Sequence, residues 1–216
     1  MSTPTIIEKT AVLTHQRLII TGQHKPFTLE TITEPLPQPA AGEVRLQVQA
    51  AGLAFADLLA RKGQYPGAPR TPFTPGYDVV GQVDALGAGV ADLAIGQQVA
   101  AILPHFGGQA ATVCLPANLC VPVPAGLDPV KAVSVVLNYL TAHRMLHVNA
   151  QVKAGERLLV HSAAGGVGTA LLQLGQIAGL EMYGTASGSK LDVVAAAGAT
   201  PINYRTEDFA ARIRQL

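Results

Sequence analysis

The chain has 216 residues, of which 49% are hydrophobic and 13% are charged, so it can bury a sizeable core and is not globally disordered. Its formal charge of +1 gives too weak a field to indicate a nucleic-acid or anionic-membrane ligand. Its two cysteines are too few for a disulfide scaffold or a structural zinc site built from cysteine pairs.

The N-terminal segment is not expected to be a secretory signal peptide. Met1–Leu13 has acidic and polar residues where a secretory signal peptide needs a continuous apolar core. Apolar runs elsewhere are broken by Gly, Pro or polar residues well short of the roughly 20 residues that a membrane span requires. We therefore expect a cytoplasmic protein in a reducing compartment.

The distribution of proline divides the chain near residue 129. Fourteen of the fifteen prolines lie before residue 130. In this first part, Glu43–Gln49 alternates apolar with charged or amide side chains, which predicts a half-buried strand. Further strand-like runs occur at Val79–Val83 and Gln98–Leu103. Short strands at this spacing predict a small barrel or sandwich.

Beyond residue 129 the pattern is one of alternating helices and strands. The expected elements are helix Lys131–Val148, strand Arg157–His161, helix Thr169–Ala178, strand Glu181–Thr185, helix Lys190–Ala197, strand Pro201–Tyr204 and helix Glu207–Leu216. The run Arg157–His161 lacks alternation, as expected of a strand that helices cover on both faces. The βαβαβα order that follows the first helix predicts a parallel sheet with right-handed crossovers.

A glycine-rich segment, Ala163–Gly168, links the first of these strands to a helix and fits the dinucleotide fingerprint with alanine in the first glycine slot. Gly165 would let the backbone approach a pyrophosphate, and Gly168 would allow close packing of helix against strand. Gly166 and Val167 complete a loop whose N–H groups would face the phosphate charge. The alternative is a tight structural turn, but the flanking strand, the helix and the second βα unit favour dinucleotide binding.

The residues after the second strand indicate which nicotinamide cofactor fits. An Asp or Glu normally stands there and accepts hydrogen bonds from the ribose 2′-OH of NAD. This chain has Ser187 and Lys190 instead, a hydroxyl and a cation that would suit a 2′-phosphate. NADPH is therefore the expected cofactor, with the alternative that Lys190 is a solvated residue in the first turn of a helix.

Other polar residues have ordinary structural interpretations. His143 and His147 have a zinc-ligand spacing on a predicted helix, but Arg144 replaces the expected Glu and no third ligand is evident, so surface histidines are favoured. His161 is expected to be a buried, hydrogen-bonded histidine. Ser162 lies in no serine-hydrolase elbow.

Five sequence blocks carry a family resemblance. They are Ala51–Pro66, Pro75–Gly81, Leu137–Ala142, Ala163–Gly168 and Ile202–Arg205. Together, and in this order, they resemble zinc-independent quinone oxidoreductases of the medium-chain dehydrogenase/reductase superfamily. The resemblance implies an α/β protein: a GroES-like β-barrel catalytic domain in residues 1–129, then a partial Rossmann doubly wound parallel sheet in residues 130–216. It also implies a nicotinamide in the cleft between the two domains.

The resemblance further implies which residues bind the cofactor, in addition to the glycine loop. One group lies at the nicotinamide and the other at the 2′-phosphate. The residues are Phe55, Asn138 and Thr141 for the nicotinamide and Ser187, Lys190 and Tyr204 for the 2′-phosphate.

The catalytic group implied by the resemblance is Tyr65, which borders the substrate cleft, together with Asp57. From composition alone these two would be an interface tyrosine and a helix-cap aspartate. Zinc-dependent relatives place Cys at the position of Ala54 and Gly-His-Glu where this chain has Gly76–Asp78, so no catalytic metal is expected. Many zinc-independent relatives carry Asn at position 54, and alanine cannot replace its hydrogen bond. Tyr65 or an ordered water is the expected substitute.

The resulting expectation is an NADPH-dependent oxidoreductase that transfers hydride to a quinone or an α,β-unsaturated carbonyl. Only three Rossmann strands are present, so we expect the N-terminal portion of a longer enzyme, in which the strand Arg157–His161 has one unpaired edge. Two alternatives remain: a non-catalytic relative that acts as a cofactor-binding or interaction module, and an enoyl reductase segment of a multidomain synthase. The expected partner is a small-molecule substrate; family members are often dimers, so a homodimer is a possible assembly.

Overall fold

The computed structural model describes residues 12–22 and 26–215. Two features of the sequence analysis fall outside them: most of the Met1–Leu13 segment and the last residue of the predicted C-terminal helix, Leu216. The chain forms two compact units, Met1–Val136 and Leu137–Leu216. The division falls inside a helix that begins at Pro129, beside the domain boundary proposed from the sequence.

The first unit is built from short antiparallel strands. Its elements are β1 (Thr14–Thr21), β2 (Thr28–Pro35), β3 (Glu43–Ala51), α1 (Phe55–Arg61), β4 (Asp78–Leu86), β5 (Gln98–Ile102), β6 (Thr112–Pro116) and β7 (Cys120–Pro122). Five strands form one sheet in the order β6-β3-β4-β5-β7, and β1 pairs with β2 in a separate sheet. The predicted strands in this half of the chain are confirmed, although β4 begins one residue earlier and ends three residues later than predicted.

The alternation along β3 places one face of this strand in the core. Val44 and Leu46 are fully buried, and Val48 packs against the same apolar cluster. Val79 from β4 and Val99 from β5 complete its centre. Each such side chain contributes about 1.5–3 kcal/mol when it is buried, so slipping β3 by one residue would be costly.

The second unit contains a parallel sheet with helices. Its elements are α2 (Pro129–His143, which begins in the first unit), β8 (Arg157–Val160), α3 (Gly166–Ile177), β9 (Glu181–Ala186), α4 (Leu191–Ala196), β10 (Thr200–Asn203) and α5 (Phe209–Gln215). The strand order is β10-β9-β8, and both neighbouring pairs are parallel. The predicted βαβαβα order and parallel sheet are therefore confirmed.

Two helix boundaries differ from the prediction by three residues or more. The helix predicted over Lys131–Val148 is α-helical only to His143 and continues as a π-helical turn, Arg144–Asn149. The Ala150 N–H closes this wider turn by donating to the carbonyl of Met145 at 2.9 Å. The next helix begins at Gly166 rather than Thr169, because the glycines of the loop themselves form its first turn.

Strand β8 lies at an edge of the parallel sheet. Within the described part of the chain it pairs only with β9, so the unpaired edge expected from the sequence is present there. Full coverage of β8 was also expected, but only Val160 is buried, while Leu158 and Leu159 are half-buried. A strand with a neighbour on one side has fewer residues to cover it than a central strand has.

Candidate functional site

The glycine-rich loop joins β8 to α3 at the carboxyl edge of the parallel sheet. Ser162 in this loop has a left-handed backbone conformation (φ 54°), which is uncommon for a residue with a Cβ and often marks a functional loop. The Gly165 N–H donates to the Ser162 carbonyl at 2.8 Å, and the Ala163 N–H donates to the Thr185 carbonyl at 3.0 Å. The second bond ties the loop to the end of β9.

The glycines of the loop differ in how much space surrounds them. A Cβ on Gly168 would lie 2.4 Å from the Ser162 carbonyl oxygen, and one on Gly166 would lie 2.8 Å from the Asn138 amide oxygen. A Cβ on Gly165 would meet nothing closer than 3.2 Å. Gly168 is therefore required by its backbone contacts, whereas Gly166 lies against the side chain of Asn138 and the exposed Gly165 has the mildest of the three contacts.

The first turn of α3 has the electrostatics of an anion site. Gly165 is the N-cap and has no side chain to cap the helix, and no acidic residue lies in the first turn. The first N–H groups of a helix have no acceptor within the helix and carry partial positive charge. Val167 packs against the apolar core and anchors this turn. The loop can thus receive a phosphate or pyrophosphate.

The ends of β9 and β10 bring three of the predicted residues to the same sheet edge. Ser187 begins a 3-10 turn, Gly188–Lys190, and its carbonyl accepts from the Lys190 N–H at 2.8 Å. The Tyr204 N–H donates to the carbonyl of Ala186 at 3.4 Å. Lys190 and Tyr204 are exposed and Ser187 is half-buried, so a cation and an aromatic ring face solvent at the same carboxyl edge of the sheet as the glycine loop.

Sequence reasoning did not select Arg205, which lies in the same exposed turn as Tyr204. Its backbone N–H donates to the Asn203 side-chain oxygen at 3.1 Å. The sequence contained a signal for it, because Arg205 is a second cation, in addition to Lys190, and ends the Ile202–Arg205 block at the end of β10. It adds positive charge to the edge that holds Lys190.

The predicted nicotinamide residues of α2 have different surroundings. Asn138 lies directly against Gly166 of the loop, as the contact distance of 2.8 Å to an added Cβ shows. Thr141 is half-buried one turn later. Between them, the Tyr139 hydroxyl donates to the side-chain oxygen of Gln173 on α3. The start of α3 and this part of α2 therefore form one packed surface.

His161 follows β8 and differs from its expected environment. It is exposed rather than buried, because it lies beyond the end of an edge strand. Its hydrogen bonding is as expected: Nδ1 lies 3.1 Å from the Thr185 hydroxyl. The ring also meets Phe209 of α5 edge-on, with centroids 4.9 Å apart.

In the first unit, Asp57 links two loops through backbone hydrogen bonds. One carboxylate oxygen accepts from the Ala54 N–H at 2.8 Å, which completes the N-terminal cap of α1. The other accepts from the Gly76 N–H at 2.7 Å. Asp57 is only 4% exposed, and both its oxygens are engaged by the main chain. This geometry is that of the helix-cap aspartate, and the catalytic role that the resemblance implies for Asp57 stays a prediction.

Tyr65 belongs to an aromatic cluster. Its ring meets Tyr77 at 6.2 Å and Phe106 at 6.0 Å between centroids, and Phe106 packs on Phe73 at 5.3 Å. Burial raises the pKa of the Tyr77 hydroxyl above its usual value, and its hydrogen bond with Tyr65 and the charge of Asp57 raise it further. Tyr77 therefore stays protonated and can act as a hydrogen-bond donor beside Tyr65.

Sequence reasoning missed Tyr77 as a functional candidate. It occupies the slot where zinc-dependent relatives carry the histidine of Gly-His-Glu, and that replacement was the available signal. The segment at Ala54 and Phe55 has no hydrogen-bonding side chain, since Ala54 carries only a methyl group and Phe55 is an apolar ring that is 71% exposed. Tyr65 and Tyr77 thus supply hydroxyl groups that can donate a hydrogen bond to an acceptor and polarise it.

Neither a metal cluster nor a membrane-spanning helix occurs in the described residues. No group of three or more His, Cys, Asp or Glu side chains within residues 12–22 and 26–215 is placed to hold a metal ion. None of the helices there is both long and apolar enough to cross a bilayer. Cys114 and Cys120 are free, and burial raises the pKa of each thiol to about 11, which keeps both protonated near neutral pH.

Comparison with known proteins shows what this chain resembles. Residues 40–125 match the alcohol dehydrogenase GroES-like domain. The chain is 38% identical over 203 residues to a rat synaptic vesicle membrane protein VAT-1 homolog, covering 92% of this chain and 50% of that protein. It is 41% identical over 193 residues to the polyketide synthase component PikAII of Streptomyces venezuelae, covering 88% of this chain and 5% of that protein.

Two solved quinone oxidoreductases have the same fold. The enzyme of Pseudomonas syringae superposes with a TM-score of 0.87 at 32% identity, over 93% of this chain and 62% of that one. That of Escherichia coli, solved in complex with NADPH, gives a TM-score of 0.84 at 28% identity over the same 93% and 62%. The chain spans about half the length of the VAT-1 homolog that it matches. It contains a GroES-like domain of the alcohol dehydrogenase type, followed by a partial Rossmann sheet, and is similar to the N-terminal portion of quinone oxidoreductases of the medium-chain dehydrogenase/reductase superfamily.

Proposed function

We propose that this protein is an NADPH-dependent, zinc-independent oxidoreductase that reduces a quinone or an α,β-unsaturated carbonyl. The observation that carries the proposal is the placement of the glycine loop, Ser187 and Lys190 along one edge of the parallel sheet. The proposal includes a cytoplasmic setting, a small-molecule acceptor and assembly as a homodimer. The E. coli relative supports the choice of cofactor, because it was solved with NADPH.

The residues present fit a dinucleotide. The tight backbone contacts at Gly168 hold the loop, and the exposed Gly165 presents its backbone to solvent beside the first N–H groups of α3, where a phosphate can approach. Ser187 and Lys190 would hold the 2′-phosphate, with the ring of Tyr204 beside them. Asn138 and Thr141 would line the nicotinamide pocket, together with Phe55.

The bound cofactor would supply hydride, which leaves orientation and polarisation of the acceptor to this chain. Ala54 cannot donate a hydrogen bond. The paired hydroxyls of Tyr65 and Tyr77 can, since Tyr77 remains protonated. Asp57 contributes indirectly, because its carboxylate holds the segment at Ala54 beside the segment at Gly76.

The assignment of Lys190 predicts a change in cofactor preference. The variant Lys190→Ala should bind NADPH about 10-fold more weakly, because it loses one charge-assisted contact with the 2′-phosphate, while its affinity for NADH stays unchanged. Isothermal titration with each nucleotide measures both affinities. Lys153→Ala is the matched control, since Lys153 is also exposed but lies at the amino edge of the same sheet. Equal loss of NADPH and NADH affinity in Lys190→Ala would contradict the assignment.

The assignment of Tyr65 predicts a loss of turnover. Tyr65→Phe keeps the ring packing on Phe106 but removes the hydroxyl, and should lower the rate of NADPH oxidation by about 100-fold if that hydroxyl polarises the acceptor. Tyr183→Phe, which removes a hydroxyl bonded to Glu181, serves as control. An unchanged rate in Tyr65→Phe removes Tyr65 from the mechanism.

The choice of acceptors in that assay separates the proposed activity from its rivals. The 41% identity to a polyketide synthase component favours testing an enoyl thioester beside a quinone and a simple enone. Preference for the thioester would support an enoyl reductase. Binding of NADPH without turnover of any acceptor would instead support a cofactor-binding module.

A further inference from the structure

His143 and His147 form a pair of adjacent imidazoles on the surface of the second unit. Both residues are exposed, as predicted for surface histidines. The structure adds that their ring centroids are only 4.8 Å apart, with the ring planes tilted by 51°. The pair lies outside the glycine loop and outside the residues assigned to the 2′-phosphate.

The backbone holds this pair on one outward face. His143 is the last residue of α2, and His147 lies in the π-helical turn that continues it. The residue before each histidine faces inward: Ala142 is 0% exposed and Leu146 is 1% exposed, and both belong to the core cluster of the unit. Because Ala142 and Leu146 are buried in the core, they fix the backbone that holds the two imidazoles side by side.

Two neighbouring imidazoles are a chelating group for borderline metal ions. Imidazole nitrogen suits Zn²⁺, Cu²⁺ and Ni²⁺, which it binds at about 2.0–2.1 Å in the case of zinc. Residues four apart on a helix share a face, so two rings can turn their nitrogens toward one ion without a change in the backbone. Neither histidine serves the packing of the core, because both are exposed.

We propose that His143 and His147 together chelate one borderline divalent cation, of the class that includes Ni²⁺, Cu²⁺ and Zn²⁺. The protein supplies two ligands, and water fills the remaining coordination positions. Joining the two ligands on one rigid element makes the second metal–nitrogen bond intramolecular, which strengthens binding well beyond that of one imidazole. Neither histidine is among the residues proposed to bind the cofactor.

Titration with Ni²⁺ tests the site, since this ion does not oxidise the two free thiols. Isothermal titration of the untagged chain should show one tight Ni²⁺ site, and His143→Asn or His147→Asn should each weaken it by about 100-fold. His105→Asn is the control, because His105 is also exposed but has no paired imidazole in the described structure. It should leave the tight site unchanged.

A spectroscopic readout locates the ion independently of affinity. Substoichiometric Ni²⁺ should shift or broaden the imidazole proton signals of both His143 and His147 in the NMR spectrum before those of the other histidines. Circular dichroism of the variants checks that they remain folded. Unchanged Ni²⁺ affinity in both single variants, or Ni²⁺ effects that begin at other histidines, would overturn the proposal.

Discussion

Asp57→Asn is expected to lower the free energy of unfolding of the first unit by about 2–4 kcal/mol, although it preserves size and shape. The carboxylate accepts from the Ala54 N–H and the Gly76 N–H, at 2.8 and 2.7 Å, with one oxygen each. An amide has a single acceptor oxygen, so one buried N–H must face an NH₂ group and lose its partner. Asp57→Ala removes both acceptors and should destabilise the unit more.

The measurement that isolates this effect is amide hydrogen exchange at Ala54 and Gly76, together with urea unfolding followed by circular dichroism. Asp192→Asn is the control, because Asp192 is also an aspartate in the first turn of a helix but is exposed. It should change stability by less than about 0.5 kcal/mol. If Asp57→Asn behaved like this control, with both amides still protected, Asp57 would not hold the two segments together.

The position of Asp57 shows what the sequence could predict and what it could not. Its role as a helix-capping residue follows from local spacing, since it lies three residues after Ala54. Its second hydrogen bond spans nineteen residues, to Gly76, and depends on how α1 packs beside the segment that leads into β4. Local patterns carry no information on such a contact. The contact between Tyr65 and Tyr77 could not be predicted either, because it also joins residues that are distant in the sequence.

The parallel sheet was more predictable because its signals are periodic and local. The strand and helix patterns gave the order of the elements, and that order determined which strand would lie at the edge. Helix ends were harder to predict. Glycine is a poor helix former, so the sequence pattern predicts that α3 begins at Thr169. In the structure the helix begins at Gly166, because close packing around Gly166 and Gly168 outweighs this low propensity.

Gly168→Ala is expected to damage both stability and cofactor binding. The new Cβ would lie 2.4 Å from the Ser162 carbonyl oxygen and 2.8 Å from backbone atoms of Ala163, none of which can rotate away. Overpacking of this kind costs about 1–3 kcal/mol or more. The gain of about 1 kcal/mol in helix propensity offsets only part of this cost. The loop must shift, and NADPH affinity should fall by about 10-fold or more because the N–H groups of α3 move with it.

Gly165→Ala separates the two effects, because its Cβ would lie 3.2 Å from the Ser162 carbonyl oxygen, a much milder contact than the 2.4 Å at Gly168, and its φ of −89° suits alanine. Its stability should stay within about 1 kcal/mol of wild type, which is the usual cost of alanine at an N-cap. The added methyl group would nevertheless stand where a pyrophosphate must approach the backbone, so NADPH binding should weaken without unfolding. Urea unfolding and nucleotide titration of the two variants side by side test this contrast. Normal NADPH affinity in folded Gly165→Ala would show that the phosphate does not approach the loop at this residue.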